Sequence, residues 1–145
     1  MGYTIVYRTA TPVIGEKRQA VLATAEEIGS AHAWISCEPP LLMPEPESDY
    51  LFGCSKPALM IDEEELLELA EEDLPDGTLE DLVVGLCRIS QSHGIDWHLG
   101  DDYEERVGTI SQGVADQALK DKLDELAQLA KAFANGDFGG FGVTE

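Results

Sequence analysis

The chain has 145 residues and a formal charge of −20, from 29 Asp and Glu against 9 Lys and Arg. That length suits one domain of ordinary size, and 43% hydrophobic with 26% charged residues is an ordinary globular composition. A surface so negative repels phosphate backbones and anionic lipid, which excludes direct nucleic-acid binding and membrane attachment as expected functions.

The opening MGYTIVYRTATPV has neither a basic n-region nor a long apolar core. No later window reaches the ~18 apolar residues of a spanning helix, so a soluble, unexported, cytoplasmic protein is expected. Tyr3 to Thr9 is aromatic and β-branched and reads as a first, central strand with two largely apolar faces. Thr11-Pro12 then offers an N-cap followed by proline at the first helical position. Val21, Ala25 and Ile28 keep helical spacing until Gly29-Ser30. Ala33 to Cys37 and Asp49 to Cys54 read as two short strands, joined by the exposed, proline-broken connection EPPLLMPEPES.

Asp62 to Leu74 carries Asp62 and Glu65 as a capping box and Leu66, Leu67, Ala70 and Leu74 on one stripe, which predicts a short acidic helix. Pro75 to Thr78 breaks it. Thr78 with Asp81 caps a further helix whose Leu79, Leu82, Val83 and Leu86 face inward, and Gly94 ends it. Ile95, Trp97 and Leu99 alternate with Asp96 and His98, and RVGTI follows after GDDYEE, which predicts a strand hairpin. Asp116 caps a last helix with Leu119, Leu123, Leu126, Ala130 and Phe133 at alternating steps of four and three.

The order β-α-β-β-α-α-β-β-α implies an α+β fold of two layers, a mostly antiparallel sheet of about five strands with three to four helices. Residues 1–136 form the expected single globular domain, and 137–145 a flexible glycine-rich tail. Ile5, Leu82, Leu86, Trp97, Leu99, Ile110, Leu123 and Leu126 occupy the inward phase of their segments and are the expected core.

Chemistry-bearing residues are few. Cys37, Cys54 and Cys87 are an odd set without C-x-x-C spacing; they suit a reducing compartment and read as small buried hydrophobes. His93 precedes a helix-ending glycine, where a cation is favoured, and His98 points to the surface. Asp101 to Glu105 lacks the ordered ligand spacing of a calcium loop and reads as a solvated hairpin tip. Phosphate-loop, dinucleotide, nucleophile-elbow and zinc-protease signatures are all missing. No cofactor and no metal is expected.

Acid density is the feature that remains. From Glu38 to Asp81 there are 15 carboxylates against Lys56 alone. Such a run solubilises a chain, and it also steers a cationic protein toward it. Glu63, Glu64, Glu68, Glu71 and Glu72 avoid the leucine stripe of their segment and are the expected partner-binding residues. The function expected is a small acidic binding or regulatory protein, inhibitor- or immunity-like, that docks a basic partner. The alternative is a small enzyme whose site comes from the loops around Pro39 to Glu47 and Gly100 to Glu105, with carboxylates and His98 for acid–base work, with or without a metal. Oligomeric state is not legible from the sequence.

Overall fold

Alternation along β1 (Ile5–Thr9) sets the middle of the sheet: Ile5, Tyr7 and Thr9 are fully buried, whereas Val6 is exposed and Arg8 half-buried. The expectation of two apolar faces is thus corrected, because only one face of this strand is covered. The computed structural model describes residues 4–34, 37–45, 48–57 and 77–134. Within them β1 is followed by α1 (Gly15–Ser30), β2 (Met43–Pro44), β3 (Leu51–Ser55), α2 (Leu79–His93), β4 (Trp97–Asp101), β5 (Gly108–Ser111), β6 (Val114–Ala115) and α3 (Gln117–Ala134). The fold is α+β, one antiparallel sheet in the order β2-β3-β1-β4-β5-β6 with three helices. No helix among the described residues is long and apolar enough to cross a membrane. The acidic segment from Asp62 to Leu74 and the tail from Asp137 lie outside the described residues.

Strand β1 pairs with both β3 (Tyr7 opposite Gly53) and β4 (Tyr7 opposite Leu99). The hairpin of Trp97 against Ile110 forms as the alternation predicts. A sixth strand comes from a feature the periodicity did not show. Gln112 and Gly113 both take positive φ, 53° and 79°, the tight-turn geometry that folds β6 back on β5.

Helix α1 buries Val21, Ala25 and Ile28 as expected, but Thr11-Pro12 does not start it. Val13 is buried and its N–H donates to Asp49 O at 2.9 Å, so the chain stays extended through Ile14 and the helix begins at Gly15 without a side-chain cap. Ala33 and Trp34 are not in a strand either. Trp34 takes φ 54°, and its indole Nε1 donates to Gly29 O at 3.0 Å, folding the chain back on the end of α1. Residues 35–36 are not described, and Cys37 makes an isolated bridge to Pro57.

The strand instead arises inside the proline-rich connection. Met43 and Pro44 pair with Phe52 and Leu51, at a sheet edge, where a missing N–H costs least. Leu42 is buried, so this connection is not simply an exposed one.

Helix α2 has the predicted capping box: Asp81 N donates to Thr78 Oγ1 at 3.2 Å, and Thr78 N donates to Asp81 Oδ2 at 2.9 Å. Gly94 closes it in the left-handed conformation. Its Leu82, Val83, Leu86 and Ile89 are buried against the sheet, where Trp97 Nε1 donates to Leu86 O at 3.1 Å. Asp116 caps α3 as predicted, accepting from Leu119 N at 2.9 Å. Leu119 is fully buried, but Leu123 and Leu126 are only half-buried, which corrects their place in the core. The 18-residue helix extends ~27 Å, whereas the four-residue β5 on which it packs spans only ~13 Å, so the later leucines outrun their support.

The inward face holds polar atoms that find partners. Leu51 N donates to Thr9 Oγ1 at 3.1 Å, and Ser55 Oγ donates to Pro39 O at 3.2 Å, leaving the Tyr7 hydroxyl to donate to Ser55 Oγ at 2.9 Å. Burial pushes the Tyr7 phenol up from 10.0 to about 12, the Ser55 bond opposing it. The folded state therefore favours the neutral phenol: its contribution is complete below pH 10.0 and is lost as pH rises through about 12. Unfolding free energy measured against pH should fall across that window in the wild type, and the Tyr7→Phe variant should fall less steeply there.

Candidate functional site

The five glutamates expected to bind a partner, Glu63, Glu64, Glu68, Glu71 and Glu72, lie outside the described residues. Their flanks are placed. Pro57 bridges Cys37 beyond the end of β3, and on the other side Gly77 lies beneath the Trp34 ring, where a β-carbon would come within 2.3 Å of it. Thr78 then opens α2.

Four of the described cations serve the chain's own carboxylates. Arg8 forms a two-point ion pair with Glu45, including Nη2 to Oε1 at 3.2 Å, and its guanidinium lies 4.0 Å over the Tyr50 ring. The Arg8 hydrogen bond holds the Glu45 carboxyl below the usual carboxylate range. Arg18 donates to Val13 O at 2.8 Å and Asp49 O at 3.1 Å, and its Nη2 stands 3.9 Å from the Asp49 carboxylate. Arg88 is 3.6 Å from Glu27. Lys122 stands among Asp101, Glu104 and Glu125 at 3.8 to 3.9 Å. The exposed pairs, those of Arg18 and Arg88, contribute only ~0 to 1 kcal/mol each, so they bear on the surrounding field more than on stability, whereas the Asp101 side chain that faces Lys122 is buried. With Arg8, Arg18, Arg88 and Lys122 locally neutralised, the field is set by the surplus of carboxylates.

The hairpin tip behaves as a turn. Asp101 Oδ1 accepts from Tyr103 N at 2.8 Å and Glu104 N at 2.7 Å, and Lys122 supplies the nearby positive charge. Among the described residues, no group of three or more His, Cys, Asp and Glu is arranged to hold a metal ion.

Histidines are spread over the molecule. His32 Nε2 lies 3.7 Å from Asp81 Oδ1 near the start of α2, with its ring 5.2 Å from the Trp34 ring. His93 closes the other end of that helix, ~20 Å away by helix length. His93 keeps its expected place in the last turn of α2 before Gly94, and its Nε2, 2.9 Å from Thr24 Oγ1, also ties α2 to α1. The Thr24 hydroxyl also donates to Ala20 O at 3.0 Å, which leaves the imidazole N–H to donate to Thr24. His98 is half-buried rather than a plain surface residue, and its Nδ1 is buried without a hydrogen-bond partner. Cys37 is buried as expected, Cys54 is exposed against expectation because it takes the outward phase of β3, and Cys87 is half-buried, its thiol pushed up by burial.

That outward phase continues across the sheet, and the sequence did not reveal it as a surface. Register places Met43, Phe52, Arg8, His98 and Thr109 in one row, with Cys54, Val6 and Gly100 in the next. Ser111 and Val114 continue it to the far edge. No outward position of the six strands is a carboxylate, in a chain that has 29. Sheets with one solvated face ordinarily present polar residues there; this one presents exposed Val6, Met43 and Val114. Recognising it needed the pairing register, because β2 and β6 are two residues long and carry no period of their own. No protein-family model matches the chain, and neither a curated protein nor a solved structure is similar enough to count as a match.

Proposed function

We propose that this chain is a small acidic binding or regulatory protein, inhibitor- or immunity-like, that docks a basic protein through the segment bearing Glu63, Glu64, Glu68, Glu71 and Glu72. The observation that carries this reading is the charge surplus: 29 carboxylates face 9 cations, and Arg8, Arg18, Arg88 and Lys122 are already held by the chain's own acids. Long-range attraction of a cationic partner follows from such a field, and like-charged macromolecules are turned away. The separation of His32 and His93 at opposite ends of α2 favours docking over acid–base chemistry at a centre they share. A cytoplasmic setting goes with this reading, because Cys37, Cys54 and Cys87 are free thiols.

Replacing the five glutamates by glutamine is the test. Exposed charges contribute little to stability, so the thermal transition should stay or rise slightly as mutual repulsion is relieved. Association with a basic protein captured by the wild type at low salt should slow by roughly tenfold or more, and its salt dependence should flatten. An unaltered association rate and salt slope in the folded variant would overturn the reading, and so would unfolding, which would make those carboxylates structural.

A further inference from the structure

We draw no further inference here: the strongest candidate, the outward face of the sheet with exposed Val6, Met43 and Val114, carries none, because the Arg8–Glu45 pair and Asp116 on Thr109 interrupt its apolar surface and nothing in the structure shows what covers it.

Discussion

Replacing Leu86 by alanine should lower the unfolding free energy by about 2–5 kcal/mol, read as a shift of the urea midpoint at unchanged slope. Leu86 is fully buried in the layer between α2 and the sheet, with Leu82 one turn before it and Ile89 one turn after. Truncation removes apolar contact and leaves a void that its neighbours cannot readily fill. The backbone there is pinned, because Leu86 O accepts the Trp97 indole N–H at 3.1 Å, and Trp97 meets Tyr7 edge to face at 6.0 Å. A helix tied to the sheet through its own carbonyl cannot slide to close a cavity, so the loss should fall well above the ~1 kcal/mol of an ordinary surface change. A smaller loss would show that α2 is not seated by this residue.

The second large effect is expected at Gly108, where β5 and α3 come closest. A β-carbon there would stand 2.4 Å from Leu119 Cβ and 2.8 Å from Leu119 Cα and N. Those atoms belong to the start of α3, so no side chain can rotate away and the helix itself must retreat. Gly108→Ala should therefore cost about 1–3 kcal/mol as an overpacked site. The damage should be directional. Leu119 is the fully buried leucine of α3, with Leu123 and Leu126 half-buried, so lifting it frees the helix from its principal support. Hydrogen exchange should show α3 amides losing protection while those of α2 keep theirs. Equal loss in both helices would mean that α3 and α2 open as one unit.

What the sequence by itself determined were the elements whose information is local. The capping box of Thr78 and Asp81, Gly94 at the end of α2, the Asp116 cap and the alternation of Ile95, Trp97 and Leu99 each involve residues a few positions apart. Side-chain period and capping chemistry act over that range whatever lies across the fold. The net charge was equally legible, because it is a sum and needs no coordinates. Tertiary structure alone decided the rest. Val13 bonds to Asp49 across the fold and delays α1 past its proline, and Met43-Pro44 becomes a strand because Leu51 and Phe52 offer it an edge. Trp34 turns back on α1 where a strand was expected, and the length of β5 rather than the spacing of leucines decides which of them are buried in α3. The outward row of the sheet belongs to the same class: its members come from strands far apart in the chain, and only the pairing register brings Met43, Phe52, Arg8 and His98 together.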